Sequence, residues 1–409
     1  MAGNLALFAY YYKPENTSGV QRAARLAKYL PQFGWPTWVI ASSAGGIDPT
    51  LERVIHVPGP ADGSPAAARW SRLGRLAERF LPYQEKLPWV PHAVEAFERL
   101  HTAQPFSALL STSPPTGSHI AAWRIKRKFR LPWIADFRDP ILGNPGRPRR
   151  WAQPYDRALQ REIFRSADIV LAVTDTMRDL WRAQYPRWAH KFQLIWNGFD
   201  PEEGFGPLDA PPRPYRVLLH AGVLYSQRHP HAMLDSLARL IGNGRLNPDA
   251  LRLRFIGIVQ EMDQLRARPS VALLASRGCL DMNGQLIPRD DAMREIATAD
   301  SLFLIDIVNN SKVGYTVPAK LYDYLLTGRP ILSITDPGSP VDRILAQSGV
   351  PYSCLYHADS PETLDGKLHG FLSLPGAPVT PGPWFFENFD GRLQARAIGA
   401  MLETSAPGR

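Results

Sequence analysis

Short apolar segments rich in β-branched and aromatic residues alternate with helical patterns along the chain, and this alternation limits the folds open to it. Strands joined by crossover helices predict a parallel sheet that is covered by helices on both faces. The candidate strands of the first half are NLALFAYY, TWVIAS, SALLSTS, PWIADF and DIVLAVT, and the helical patterns between them include VQRAARLAKYLPQFG, SHIAAWRIKRKF and QREIFRSA.

The same alternation starts again after a Pro/Gly-rich passage that ends in APPRP. A length of 409 residues suits two domains of about 200 residues each. We therefore predict an α/β protein with two parallel sheets in tandem, followed by a second Pro/Gly-rich crossing and a last helix. The second set comprises the strands YRVLLHAG, LRLRFIGI, SLFLIDI and RPILSIT, the helices HAMLDSLARLI, AMREIATA, KLYDYLL and VDRILAQ, and the last helix GRLQARAIGAMLE.

The charge of the chain narrows the classes of partner. A formal net charge of +9 and a pI near 9.6 favour an anionic partner, which could be a nucleic acid, a nucleotide or an acidic membrane. Cys279 and Cys354 have no metal-binding spacing, and two cysteines suit a reducing, cytoplasmic compartment. The sequence shows neither a signal-peptide pattern nor an apolar run of about 20 residues, which predicts a soluble or peripheral protein.

Open parallel sheets bind ligands beyond the carboxyl ends of their strands, and two such domains facing each other would line a common cleft with those loops. After the first strand, Gly19 lies near the start of a helix, and a helix N-terminus is a ready anion site. An ordinary capped βα loop is the alternative. Arg22, Arg25 and Lys28 follow at helical spacing, which is typical of a solvated helix face.

Two more loops of the first half carry candidate residues. His119 enters the helix after STSPPTG, either as a structural histidine or as a side chain at the carboxyl edge of the sheet. Asp136, Arg138 and Asp139 cluster where the strand PWIADF ends, and charges there are costly unless they are paired or used. We expect them to bind an acceptor or to act electrostatically in catalysis. A salt bridge that shapes the loop is the alternative.

In the second half, Gly222 ends the first strand and Arg228 follows it. A glycine lets the backbone approach a ligand, and a guanidinium suits phosphate oxygens. Lys320 and Asp323 lie on one face of a helix that Pro318 starts well, next to a dipole end that favours anions. A lysine for a diphosphate and a carboxylate for ribose hydroxyls fit that pair. A plain salt bridge is the alternative.

Together these segments resemble the family 4 glycosyltransferases of the GT-B architecture, in particular bacterial enzymes of surface-polysaccharide and glycolipid assembly. The resemblance implies two Rossmann-like domains: an acceptor domain of residues 1–204 with a returning C-terminal helix 384–409, and a nucleotide-sugar donor domain of residues 205–383. It also implies transfer that retains the anomeric configuration, normally without a metal. The segments that carry it are STSPPTGSHIAAWRIKRKFRLPWIADFRDPI, ADIVLAVTDTM, WNGFD, HAGVLYSQRHP and VPAKLYDYLLTGRPIL.

The resemblance implies roles for several donor-binding positions. Arg228 is similar to the family's basic diphosphate contact, and Lys320 to a neighbouring basic position in some members. Asp323 matches the second acid of the family's two-glutamate motif, which often binds ribose. Gly19 is similar to the glycine loop near the donor phosphates.

The sequence departs from the family pattern at two places. The first acid of the two-glutamate motif falls at Tyr315, which is also a donor-side position, and the second is the shorter Asp323. Many relatives have a histidine where Arg138 or Asp139 stands here. The catalytic charge near the sugar would then come from Asp139, Arg138 or His119.

The implied reaction uses a UDP- or GDP-linked sugar as substrate, with no resident cofactor or metal, and a lipid-linked or saccharide acceptor. Charge grows on the leaving diphosphate, so Arg228, Lys320 and the amides near Gly19 would stabilise the transition state. Closure of the domains would expel water.

A basic amphipathic helix is predicted within ARWSRLGRLAERFLPYQEKLPWVP, and such a helix is typical of a membrane-surface element. A helix that packs its apolar side on the core is the alternative. Membrane contact would place the protein in the cytoplasm, on the inner face of the cytoplasmic membrane. The arginines of one side are Arg69, Arg72, Arg75 and Arg79, and the apolar residues beside them are Trp70, Leu73, Leu76 and Phe80.

Two other functions remain open at this point. A nucleotide-sugar epimerase would convert its substrate without an acceptor, and a non-catalytic partner protein would keep the fold without the chemistry. Nucleic-acid binding is disfavoured because the basic residues are dispersed and no recognised module is present.

Overall fold

The computed structural model describes residues 3–15, 18–58, 86–144, 150–210, 212–224, 229–282, 284–285, 287–306 and 316–405. The chain divides into two compact units. The first comprises Met1–Asp200, Gly314–Thr316 and Asn388–Arg409, and the second comprises Pro201–Val313 and Val317–Glu387. Each unit contains one wholly parallel sheet, which confirms the predicted α/β class.

The first unit is built on a seven-stranded sheet of order β3-β2-β1-β4-β5-β6-β7. Its strands are β1 Asn4–Phe8, β2 Thr37–Ser42, β3 Val54–Val57, β4 Phe106–Ser113, β5 Trp133–Phe137, β6 Ile169–Ala172 and β7 Phe192–Leu194. Its helices are α1 Ser18–Tyr29, α2 Trp89–Ala103, α3 Gly117–Phe129, α4 Gln153–Ser166 and α5 Asp175–Gln184.

Both faces of this sheet are buried, which is why its strands are continuous apolar runs rather than alternating ones. In β1, Ala6 and Phe8 belong to the core cluster on one face, while Leu5 and Leu7 belong to the cluster on the other. In the register of the sheet, Phe8 stands beside Ile40 of β2 and Ser111 of β4.

The second unit has a six-stranded sheet of order β10-β9-β8-β11-β12-β13. Its strands are β8 Arg216–Ala221, β9 Leu251–Ile256, β10 Leu280–Met282, β11 Ser301–Ile305, β12 Ile331–Thr335 and β13 Tyr352–Tyr356. The helices from residue 231 onward are α6 His231–Gly242, α7 Met262–Arg266, α8 Pro269–Ser276, α9 Arg289–Thr298, α10 Lys320–Thr327, α11 Pro340–Ser348, α12 Pro361–Leu372, α13 Pro383–Phe389 and α14 Gly391–Ser405.

Both sheets reverse their strand order at the equivalent point. In the first unit the chain moves from the β3-β2-β1 side to β4, and in the second from the β10-β9-β8 side to β11. Loops that leave the carboxyl ends of strands at such a reversal are where open α/β sheets bind their ligands. The β1/β4 and β8/β11 edges are therefore the candidate ligand-binding edges of the two sheets.

The last helix, α14, completes the core of the first unit. Ala395, Ile398 and Leu402 are fully buried in the same cluster as α1. The Trp35 indole N–H also donates a hydrogen bond to the Gly399 carbonyl at 3.2 Å. Among the described helices, none combines the length and the apolar character that a bilayer crossing needs.

Candidate functional site

Helix α10 of the second unit is fastened to the carboxyl end of β8 by two side chains. Lys320 and Tyr324 are four residues apart and therefore lie on one helix face. The Tyr324 hydroxyl accepts a hydrogen bond from the Ala221 amide at 2.9 Å, and Lys320 Nζ lies 3.2 Å from His220 Nε2. Burial raises the pKa of Tyr324, so its hydroxyl stays protonated at neutral pH.

Gly222 leaves the space that Lys320 occupies. A Cβ at this position would lie 2.6 Å from Lys320 Nζ, and the φ of +123° is one that other residues rarely adopt. Gly257, which follows β9, has a φ of +112°, and a Cβ there would lie 2.7 Å from the Gly222 carbonyl oxygen. The two glycines therefore place a lysine ammonium against bare backbone at the strand-order reversal.

His220 orients Lys320 through a neutral ring. Its Nδ1 lies 2.9 Å from the Phe303 carbonyl oxygen, and since a carbonyl only accepts hydrogen bonds, Nδ1 must donate. Because the Lys320 ammonium can only donate, Nε2 is the acceptor of their hydrogen bond, so the ring carries its single proton on Nδ1. This contact aims the ammonium without cancelling its charge, and that charge is what an anionic ligand requires.

Of the predicted donor-binding residues, the structure brings Gly222 and Lys320 together. Asp323 is half-buried in the first turn of α10. Arg228 and Tyr315 lie outside the described residues. The role of these five residues in holding a donor stays a prediction, as does that of Gly19 in the first unit.

A cavity of about 190 Å³ opens in the second unit beside the first turn of α6. The rings of His229 and His231 stack on each other there, with centroids 4.7 Å apart. Burial lowers the pKa of His231, and the nearby Arg268 and His229 lower it further. Gln260, Glu261, Gln264 and Arg268 are the other polar residues of the lining, which offers both donors and acceptors of hydrogen bonds.

In the first unit, Arg22 and Asp136 form a buried ion pair. The side chains are 3% and 0% exposed, and Arg22 Nη2 lies 2.7 Å from Asp136 Oδ1. The guanidinium also donates to the carbonyl oxygens of Ile195 and Trp196, while Thr112 donates to the Asp136 carboxylate. The expectation that Arg22 lies on a solvated face is wrong. For Asp136 the geometry matches the alternative of a salt bridge that shapes the loop, and its role in binding an acceptor stays a prediction.

The geometry gives Arg138 a structural role in addition to the predicted catalytic one. Its guanidinium donates to the carbonyl oxygens of Ser113, Pro114 and Gly19. It thus joins the end of β4 to the first turn of α1, and Gly19 contributes a carbonyl to this contact. Burial lowers the pKa of Arg138, while the carboxylates of Asp136 and Asp139 oppose that shift.

Asp139 is the half-buried carboxylate at this edge of the first unit. Burial raises its pKa, and the Arg138 guanidinium opposes the rise. A carboxylate with a raised pKa beside a cation is the kind of group that handles protons or stabilises charge in a site. Its predicted catalytic role is untested and keeps a physical basis.

His119 is fully buried, and its surroundings favour the structural alternative over a catalytic one. Nδ1 lies 2.8 Å from Ser111 Oγ, and the ring packs 4.4 Å from that of Phe137. Burial lowers the pKa of His119 to about 3. The ring is therefore neutral at physiological pH and has no exposed nitrogen to offer a substrate.

Sequence reasoning assigns no role to His220 or Tyr324. The spacing of four residues between Lys320 and Tyr324 was the signal for the second of these. His220 lies within a continuous apolar strand, where one histidine is more typical of packing, and strand register was needed to bring it to Lys320. Among the described residues, no group of three or more His, Cys, Asp and Glu side chains has the geometry of a metal site.

Comparison with known proteins identifies the domain in the first unit. Residues 18–198 match the family model described as the glycosyl transferase 4-like domain. No curated protein sequence matches the chain.

Solved structures of similar fold cover nearly the whole chain. Sucrose-phosphate synthase from Thermosynechococcus elongatus is 14% identical with a TM-score of 0.66, covering 98% of this chain and 98% of that one. Anabaena HepE in complex with UDP is 14% identical with a TM-score of 0.61, covering 98% and 100%. WaaG, a glycosyltransferase involved in lipopolysaccharide biosynthesis, is 14% identical with a TM-score of 0.54, covering 98% and 98%. At this identity the likeness establishes the fold, and it confirms the predicted GT-B architecture.

Proposed function

We propose that this chain, a glycosyltransferase of the GT-B type with a glycosyl transferase 4-like domain at residues 18–198, moves a sugar from a UDP-sugar to a lipid-linked or saccharide acceptor. The reaction retains the anomeric configuration and serves the synthesis of a cell-surface polysaccharide or glycoconjugate. The protein acts at the inner face of the cytoplasmic membrane as a peripheral enzyme.

The observation that carries the proposal is the placement of Lys320 over Gly222. The ammonium stands at the β8/β11 reversal, beside the start of α10, where the backbone has no side chain to block a ligand. A helix N-terminus and a fixed ammonium together suit a diphosphate. In the proposal Arg228 supplies a second cation, and Asp323 accepts hydrogen bonds from the ribose hydroxyls.

In the proposed step the bond between the anomeric carbon and the diphosphate oxygen breaks, and a bond to the acceptor hydroxyl oxygen forms on the same face. The proton of that hydroxyl leaves with the diphosphate. Negative charge grows on the diphosphate as its bond to the sugar breaks, so a preorganised ammonium stabilises the transition state more than the ground state. Lys320, aimed by a neutral histidine, is suited to this function.

The choice of donor and acceptor is supported by the structural relatives. HepE has been solved with UDP and with UDP-glucose, which favours a uridine nucleotide over a guanosine one. WaaG and the galactosyltransferase WaaB belong to lipopolysaccharide assembly by their descriptions, which favours a glycolipid acceptor.

Isothermal titration of the full chain with UDP and with GDP tests the donor class. We expect UDP to bind and Lys320→Ala to weaken its binding, whereas Lys28→Ala, which removes an exposed lysine of the first unit, should leave it unchanged. If neither UDP nor GDP binds to the full chain, the proposal is refuted.

A donor screen read by mass spectrometry, with extracted membrane lipids as acceptors, tests the reaction. We expect a sugar to be added to a lipid or saccharide acceptor and UDP to be released. Conversion of a nucleotide sugar in the absence of any acceptor would identify an epimerase instead.

A further inference from the structure

The outer faces of α3 and α4 form a basic surface on the first unit that the proposed reaction does not use. These helices pack against each other. Most of the positively charged residues on them, and Arg130 just after α3, are exposed to solvent. We call this the α3–α4 surface, and its basic residues are Arg124, Arg127, Lys128, Arg130, Arg157, Arg161 and Arg165.

Little negative charge offsets this surface. The sequence of α3 contains no carboxylate, and α4 contains two, at Asp156 and Glu162. Asp156 is buried, at 2% exposure. Glu162 is already occupied, because Arg165 pairs with it at 2.8 Å and its carboxylate also accepts from the Trp123 indole N–H. Outside the two helices, Glu98 of α2 pairs with Lys128 at 2.7 Å. The positive field in front of the surface therefore comes mainly from its arginines.

The Trp123 contact makes the surface continuous across the two helices. Its indole N–H reaches from α3 to Glu162 on α4 at 3.0 Å. The Arg127 guanidinium lies 4.9 Å from the Trp123 ring centroid, in cation–π contact. Arg124, Arg157 and Arg161 form no ion pair with any other described residue, so their charges are available to a partner.

Two large aromatic side chains lie at the start of α4. Trp151 is 55% exposed and Tyr155 is 38% exposed. Tryptophan and tyrosine carry an apolar body and a polar tip, and they concentrate at the boundary between lipid and water. Exposed aromatic rings favour the boundary between lipid and water, and arginines favour lipid phosphates. The two kinds of residue together therefore suit the headgroup region of an anionic bilayer.

We propose that the α3–α4 surface docks the protein on an anionic phospholipid bilayer, with Trp151 and Tyr155 entering the headgroup region and the arginines contacting lipid phosphates. Charge complementarity carries the choice of occupant. A nucleic acid would also meet the arginines, but the chain shows no recognised nucleic-acid module to present them. The proposal rests on the proposed function only for the reason to dock, which is access to a lipid-linked acceptor.

Flotation of the full chain with vesicles tests the proposal. The probes are vesicles of phosphatidylcholine alone and of phosphatidylcholine mixed in equal parts with phosphatidylglycerol. We expect binding to the second kind only, weakened by added salt. The triple variant Trp151→Ala/Arg157→Gln/Arg161→Gln should lose about tenfold in vesicle affinity.

A matched variant separates this surface from the general charge of the protein. Arg266→Gln/Arg277→Gln removes the same number of exposed arginines from the second unit, and it should bind vesicles like the unmodified protein. Equal losses of vesicle affinity in both variants would overturn the proposal. Unchanged vesicle binding by the triple variant would also overturn it and would indicate the segment around Arg69–Arg79 instead. Binding of a DNA duplex in place of vesicles would also overturn it.

UDP titration of the same proteins keeps the two proposals apart. The triple variant should bind UDP like the unmodified chain, because its substitutions lie in the first unit whereas Lys320 belongs to the second. Vesicle binding without UDP binding would refute the proposed function and leave the docking surface standing. UDP binding without vesicle binding would refute the docking surface and leave the proposed function standing.

Discussion

Lys320 Nζ lies 3.2 Å from Nε2 of the buried His220. The next residue of the strand, Ala221, donates its amide N–H to the Tyr324 hydroxyl. A lysine at the first position of a helix would ordinarily move freely in solvent. Here the His220 ring holds the ammonium over Gly222, while its other nitrogen donates a hydrogen bond to the Phe303 carbonyl oxygen.

Removal of either member of this contact should weaken donor binding by different amounts. Lys320→Ala deletes the charge and should raise the Kd for UDP about 10- to 100-fold, as expected for a hydrogen bond to a charged group. His220→Phe keeps a ring of similar shape but not the acceptor, and we expect a smaller rise, of about tenfold or less. Titration calorimetry measures both values, and equal affinity in all three proteins would contradict the assignment.

Gly222→Ala should destabilise the second unit and displace the lysine. The new methyl group meets Lys320 Nζ and the backbone must hold a φ of +123°, so we expect a loss of about 1–3 kcal/mol in the free energy of unfolding. In the double variant with Lys320→Ala the steric part of this cost disappears and only the backbone part remains. Urea unfolding of the two single variants and the double variant checks this, and simple additivity would argue against the close approach.

Asp136→Asn should be among the more damaging single substitutions in the first unit. It leaves the Arg22 guanidinium buried without its counter-ion, and breaking such a pair costs about 3–5 kcal/mol. Arg165→Ala is the matched control, since it breaks an exposed ion pair with Glu162 that solvent screens and that contributes little to stability. Thermal unfolding of both variants compares the two pairs, and similar losses would show that the burial of the first pair has no energetic weight.

His119 should make the first unit sensitive to mild acid. Its pKa falls from 6.5 to about 3 on folding, so the unfolded chain takes up the proton first as the pH decreases. Stability from this group is complete above about pH 6.5 and is lost below it, by about 2 kcal/mol at about pH 5. His119→Gln should remove this part of the pH dependence of urea unfolding, and an unchanged pH dependence would show that folding does not lower the pKa of His119.

The architecture could be predicted because its signals are local. Each strand and helix carries its own pattern, and the doubly covered sheet explains the continuous apolar runs of β1 and its neighbours. The sequence also predicted that Gly222 and Lys320 lie at one edge of the sheet. Gly222 directly follows β8, and Lys320 starts the helix between β11 and β12, which run parallel to β8. The resemblance to family 4 glycosyltransferases agreed with these signals.

The buried polar contacts could not be predicted in the same way. Helical spacing places Arg22 on a polar stripe, but its partner Asp136 is 114 residues away in the chain. Periodicity describes which face a residue occupies and not what covers that face. Similarly, the charge cluster after β5 indicated that its members must be paired or used, and the fold was needed to show that Asp136 is paired while Asp139 keeps a raised pKa.

The burial of α14 against α1 means that the core of the first unit is completed late in synthesis. Ala395, Ile398 and Leu402 are made after every strand of both sheets, yet they close the core around Leu26 and Tyr29 of the first unit. The nascent first unit therefore remains incomplete until α14 has been made, whereas the intervening unit already has the strands of its sheet. The later-made half of the molecule can finish folding first, and chaperones have their longest opportunity to engage the earlier-made half.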